Sequence, residues 1–169
     1  LLNQGLTFRG AAPLADIAVV KLKEAKAYLR EYYLIDDSAV AYQENDIMEA
    51  VKYLQQMAVA FSRPVVIVIG LGTNMGSHDG TSALDTYLNI VAGRRSRAVV
   101  VGGGNEGDKE HHYENFMPSN VEIRVAGQMK GFCAEIWGSL PDVYSVSIRS
   151  PGGEVSPVID FRNGMDRNI

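Results

Sequence analysis

The sequence predicts an α/β fold: a parallel, three-layer sheet with packed helices, followed by an antiparallel β segment. Three observations carry this. The runs VVIVI (residues 65–69) and AVVV (98–101) are apolar throughout and rich in β-branched residues, as suits the centre of a parallel sheet. The segments before and between them place apolar residues at helical spacing. After Pro118 apolar and polar residues alternate, with turn signals between the runs, which is the pattern of antiparallel strands with one wet face.

In chain order, ADIAVVKL (15–22) is an apolar run after Pro13 and reads as a buried strand. KEAKAYLREYY is rich in helix formers but short, so it is either a helical turn or the start of an exposed loop. IDDSAVAYQEND is polar and irregular. DIMEAVKYLQQMAVAF sets Ile47, Met48, Val51, Leu54, Met57 and Ala58 on one side of a helix of about four turns, ended by Arg63 and Pro64. TSALDTYLNIVAG is a second helix, with Asp79 or Thr81 as N-cap and Gly93 just past its end. Strand, helix, strand, helix, strand implies right-handed crossovers. Beyond Pro118, VEIRVAG, GFCAEIWG and VYSVSIRSPGGEV read as strands, with Gly127 and Pro151, Gly152 and Gly153 in turns. Residues 1–118 are therefore expected to form the α/β unit and residues 119–169 the start of a β-sandwich-like one. A jelly roll needs about eight strands, and this stretch supplies fewer, so open edges and self-association through them are expected.

The 169 residues carry a formal net charge of -4, which gives no electrostatic case for nucleic acid as a partner. No apolar run reaches membrane-span length, so no membrane partner is expected. The one cysteine, Cys133, excludes an internal disulfide framework and reads as a small core residue. Phe132 and Trp137 are five apart, so on a strand they face opposite ways and one is exposed.

Three motifs bear on chemistry. GLGTNMG follows a strand and precedes a helix, as a dinucleotide-binding turn does. The acidic residue that would hold the ribose is missing, because the next strand ends in VGGGN. A nucleotide-binding domain using Gly70, Gly72 and Gly76 is therefore the lesser reading. VVVGGGNEGD is more specific. Gly102, Gly103 and Gly104 at the carboxyl end of a parallel strand permit close backbone approach where ligands of such sheets bind. Asn105 is placed to offer an amide N–H there, a donor suited to an oxyanion; a Gly-Asn turn with a satisfied side chain is the alternative. GSHDGTSALD holds a His, two Asp and a Ser. Its hydroxyl and carboxylate oxygens are explained by capping the helix that follows, and neighbouring His78 and Asp79 are poorly placed to aim together at Ser82. His111 and His112, with Asp108 and Glu114, have metal-ligand chemistry, but adjacent histidines seldom point the same way, so no metal site is expected.

The chain resembles the subtilisin-like serine proteases. VVVGGGNEG is similar to their AAGNEG element, IGLG to their SLG segment, and RGAAPLADIAVVKL to the stretch that follows their catalytic His. AYQENDIM, LGTNMGSHDGTS and GNEGDKEHHY, in that order, resemble the clostridial Csp-type germination proteases most. Residues 121–169 resemble, more loosely, the start of the jelly-roll domain those proteases insert. The resemblance implies a serine endopeptidase acting on protein or peptide substrates. Asn105 would supply an oxyanion-hole donor. Gly70, Leu71 and Gly72, with Val40, Ala41 and Tyr42, would hold substrate backbone, and Gly102, Gly103 and Gly104 would floor the first specificity pocket. The family's Asp, His and Ser have no counterpart here, so the chain is expected to be a central, inactive piece whose partners include the remaining segments of the same protease. Gly70 replaces the family's Ser, and Gly102 and Gly103 its usual alanines, which implies a roomier pocket or a catalytically dead pseudoprotease acting as sensor or scaffold. No cofactor is implied for this segment; calcium would belong to loops mostly outside it. A secreted or spore-associated location follows from the resemblance alone.

Overall fold

The computed structural model describes residues 10–116, 119–125, 127, 131–139 and 141–160. Its elements are α1 (Ala27–Tyr32), α2 (Glu44–Ala60), β1 (Val65–Ile69), α3 (Ala83–Ala92), β2 (Arg97–Val101), β3 (Ser145–Val146) and β4 (Ile159–Asp160). The class is mixed α/β, with a parallel β1–β2 pair and a separate antiparallel β3–β4 pair.

The helix α2 forms because Val51 and Leu54 fall on one stripe and Glu44 and Asp46 in the first turn favour the positive end of the helix. It stops in a Schellman motif. The Arg63 N–H donates to Ala58 O, the Ser62 N–H donates to Val59 O, and Ser62 takes a φ of 52°. Pro64 then forbids any continuation. The same motif ends α1, where Ile35 N–H donates to Arg30 O and Leu34 takes a φ of 53°. KEAKAYLREYY thus resolves to a helix of six residues.

The strands β1 and β2 pair in parallel from Val65↔Arg97 to Ile69↔Val101. Helices α2 and α3 pack on one face of the pair and touch each other. Val51, Ile67 and Val91, each 2% exposed, form the core, with Leu54, Leu88 and Val99 against it. Each fully buried side chain contributes roughly 1.5–3 kcal/mol. The other sheet face presents Val66, Val68 and Val100 to the exterior. Among the described residues the protein therefore supplies the sheet and one helical layer.

Three expected strands do not form in the described residues. Residues 15–22 lie in no strand, and Ile17 and Val19 are 87% and 82% exposed. An extended run becomes a strand only when a neighbour accepts its ladder bonds, and the described chain offers none there. Asp16 instead pairs with Arg63 at 2.9 Å. Residues 121–125 and 131–139 likewise belong to no strand, although their apolar and polar residues alternate. Among the described residues after 118, pairing is found only in 145–160, where β3 and β4 form two rungs and Arg149 bridges Val155. That segment turns at Pro151, Gly152 and Gly153, as expected, with Gly153 at a φ of 92°. Gly127 also lies in a turn. The expected domain boundary near Pro118 falls outside the described residues.

Candidate functional site

The parallel register sends the two glycine loops out side by side from the carboxyl ends of β1 and β2. One further bond, from Gly102 N–H to Ile69 O at 3.0 Å, extends the pairing past the strands and sets Gly70 beside Gly102. No other backbone crowds these glycines. A Cβ built at Gly70, Gly72, Gly103 or Gly104 would meet nothing within 4 Å, and at Gly102 only Ile69 O at 3.9 Å. The space beside these glycines is open, which is what a ligand-binding strand end requires. Only Gly104, with a φ of 81°, sits where a side chain would be strained. Asn105 follows in an exposed bend, and its amide makes no hydrogen bond to another described residue.

Val40, Ala41 and Tyr42 are extended but not a named strand. Ala41 O accepts from Ala25 N–H at 2.8 Å, and Tyr42 bridges Glu24 in antiparallel sense. No hydrogen bond links them to Gly70, Leu71, Gly72 or the second glycine loop. Arg30 steadies the approach to this segment by donating from Nη2 to Asp36 O at 2.6 Å and Ala39 O at 2.8 Å.

Beyond the glycines lies a polar cluster that joins three separate stretches of sequence. Asn74 Nδ2 donates to Glu106 Oε2 at 3.1 Å and approaches His111 Nδ1 at 3.0 Å. The His78 and His112 rings lie 4.6 Å apart at 37°. Glu135 accepts from Gly76 N–H at 2.7 Å and from Trp137 Nε1 at 3.2 Å. His111 and His112 point to different partners, as adjacent histidines do. Among the described residues no three His, Cys, Asp or Glu side chains converge as a metal site.

GSHDGTSALD is a cap and a turn. Asp85 N–H donates to Ser82 Oγ at 3.1 Å, and Ser82 Oγ–H donates to Asp85 Oδ2 at 2.7 Å, a reciprocal capping arrangement. The N-cap is thus Ser82, not Asp79 or Thr81. Glu44, the first residue of α2, also accepts from Leu84 N–H at 2.7 Å. Asp79 serves the turn before the helix instead. Its Oδ1 accepts from Ser77 Oγ, from Thr81 Oγ1 at 2.6 Å and from Thr81 N–H at 2.9 Å. The Ser77 hydroxyl first, then the two Thr81 donors, hold its carboxyl down at about 2. His78 Nε2 sits 3.2 Å from Asn74 O. Ser82 therefore has a capping partner rather than a base.

No protein-family model matches the chain, and no curated protein matches it in sequence. Among solved structures it is similar to the Clostridium perfringens CspB protease, with a TM-score of 0.63 and 24% identity. The match covers 78% of this chain and 29% of that one, so the chain spans less than a third of its structural neighbour. The likeness is one of fold: the α/β arrangement resembles part of that structure.

The sequence reading did not single out Asn74, Glu106 and Glu135. LGTNMGSHDGTS and GNEGDKEHHY were both visible as motifs; that they face each other across the β1–β2 ends could have been inferred from parallel pairing. Nothing in the sequence marks Glu135 as their third partner. Two side-chain expectations are corrected. Cys133 is exposed rather than core, and both Phe132 and Trp137 are exposed, at 44% and 61%. Without paired strands, residues 131–139 have no inner face to hide them. Among the described residues no helix is long and apolar enough to cross a membrane.

Proposed function

We propose that this chain is the central segment of a subtilisin-like serine endopeptidase of Csp type, which cleaves protein substrates by acyl transfer. The observation that carries the reading is the open space beside Gly70 and Gly102, which lie side by side at the carboxyl ends of parallel strands. Asn105, with its amide uncommitted among the described residues, supplies the oxyanion donor. A substrate strand lies between Gly70, Leu71 and Gly72 on one side and Val40, Ala41 and Tyr42 on the other, which explains why these two stretches do not bond each other. Gly102, Gly103 and Gly104 floor the first pocket. The remaining segments of the same protease bring the Asp, His and Ser, and cover Val66, Val68 and Val100. Residues 119–169 begin the inserted β domain.

A carbonyl oxygen becomes anionic only as the tetrahedral intermediate forms, so a fixed amide donor favours the transition state over the substrate. The test is Asn105→Leu in the intact protein, with peptide ester and peptide substrates. The expected result is a fall in kcat of about 100- to 1,000-fold with KM little changed, the range typical of losing such a donor in subtilisin-like enzymes. An active intact enzyme indifferent to this change removes Asn105 from the chemistry. A folded intact protein with no activity would mean a pseudoprotease that binds peptides without cutting them.

A further inference from the structure

The groove between α2 and α3 has features that the cleavage reading does not use. Helix α2 ends before β1 begins and α3 ends before β2 begins, so the helix C-termini lie with the amino ends of the strands. The groove there, of about 500 Å³, is therefore at the opposite end of the sheet from the glycine loops. Lys52, Arg94 and Arg97 line it, and no carboxylate does. At its back Gln55, only 9% exposed, connects two of the lining groups. Arg97 Nη1 donates to Gln55 Oε1, and Gln55 Nε2 donates to Tyr87 OH at 3.1 Å.

Those bonds orient the groove toward a negative guest. A buried amide that accepts from Arg97 fixes the guanidinium while leaving it four further N–H donors. An amide that donates to the Tyr87 oxygen leaves the phenolic proton free to be given away. The Arg94 guanidinium makes no hydrogen bond or ion pair with another described residue, and only its backbone N–H is engaged, donating to Val91 O at 3.3 Å. Lys52 is held at the rim by an exposed pair with Glu49 at 3.3 Å, which is worth little. Some of this positive charge offsets the partial negative charge of two helix ends, but the unused donors remain. The walls are apolar: Val59 and Ile90 are 65% and 54% exposed beside the cations. A bare inorganic anion would leave those walls wet. Nucleic acid is a poor match for three cations on a chain of net charge -4.

We propose that the α2–α3 groove binds an acidic peptide segment, its carboxylate received by Arg97, Arg94 and the Tyr87 hydroxyl and a neighbouring apolar side chain packed on Val59 and Ile90. Arginine suits this task because its planar fork meets a carboxylate with two parallel bonds.

The test is fluorescence anisotropy of the protein with a labelled hexapeptide of alternating glutamate and leucine. The glutamine–leucine counterpart and inorganic phosphate serve as competitors. The acidic peptide is expected to bind, to weaken as salt is added, and to outcompete the glutamine peptide by about tenfold or more, as charge-assisted bonds require. Arg97→Gln should weaken it about tenfold. Arg94→Gln and Tyr87→Phe should each weaken it severalfold, and Arg94→Gln breaks no internal bond, so it decides the matter if Arg97→Gln unfolds by circular dichroism. Equal binding of the two peptides, no binding of the acidic one, or an Arg94→Gln variant that binds unchanged would overturn the proposal. So would phosphate displacing the peptide at equal concentration, which would mark a simple anion site.

Discussion

Asn74 donates its side-chain amide to Glu106 across 3.1 Å, and that bond ties the loop leaving β1 to the loop leaving β2. The same amide nitrogen stands 3.0 Å from His111 Nδ1, so the contact is a hydrogen bond when Nδ1 carries no proton and can accept. The two loops thus share one donor, beside the contact of the His78 and His112 rings.

Asn74→Ala should therefore loosen both loops together. Net stability should fall by about 0.5–1.5 kcal/mol, toward the low end because the site is exposed. Urea unfolding gives the total. Hydrogen exchange gives the distribution: protection should drop in residues 71–77 and in 103–111 alike. A loss confined to the first loop would show that Glu106 and His111 are held by something else.

Ser82→Ala tests whether this serine is a cap or a nucleophile. Losing an N-cap oxygen costs about 1 kcal/mol, and the loss here also orphans the Asp85 carboxylate that Ser82 serves. The expected outcome is that much destabilisation in a denaturant titration, and no labelling of Ser82 in the parent protein by a fluorophosphonate probe. Stoichiometric labelling would contradict the geometry.

The fold was legible wherever local pattern and tertiary pairing agree. VVIVI and AVVV declare themselves because every residue is apolar, and α2 because its stripe matches its period. Residues 15–22 and 121–125 carry equally good strand patterns and form no strand, because a pattern names a face but cannot supply the neighbour that accepts its bonds. The same limit explains the side chains. Cys133 and Trp137 stand at alternating positions, yet burial depends on a second strand, and none of the described residues pairs with 131–139. At the candidate site the glycines and Asn105 could be placed from strand ends alone. Glu135 could not, because it reaches Gly76 from 59 positions away in sequence.

Asp79 gives a pH dependence with a definite sign. Its three donors hold the folded carboxyl at about 2, against an ordinary value of 3.8. A carboxyl lowered on folding adds stability that is fully present above its unfolded value and is lost as pH falls through the folded one. The difference in urea midpoint between the parent and Asp79→Asn should therefore be constant above about pH 5, shrink between about pH 4 and 2, and vanish below. A difference that grows on acidification would reverse the assignment.

Gly103 and Gly104 should respond oppositely to the same added methyl group. Gly104 has a φ of 81°, so Gly104→Ala forces an L side chain into the left-handed region at a cost of roughly 1–2 kcal/mol, although nothing would touch the new Cβ. Gly103 is not left-handed and also faces open space, so Gly103→Ala should leave stability unchanged or raise it by about 0.4–1 kcal/mol through the unfolded chain. Thermal or urea unfolding of the two variants separates backbone strain from crowding. If both lose stability alike, packing from an unconsidered neighbour is responsible. In the intact protein, on the proposed reading, Gly103→Ala also narrows the floor of the first pocket. kcat/KM for substrates with a large aromatic side chain there should then fall about tenfold or more relative to those with a small one. A stable Gly103→Ala enzyme with unchanged preference would place that pocket elsewhere, while leaving the stability contrast between the two glycines intact.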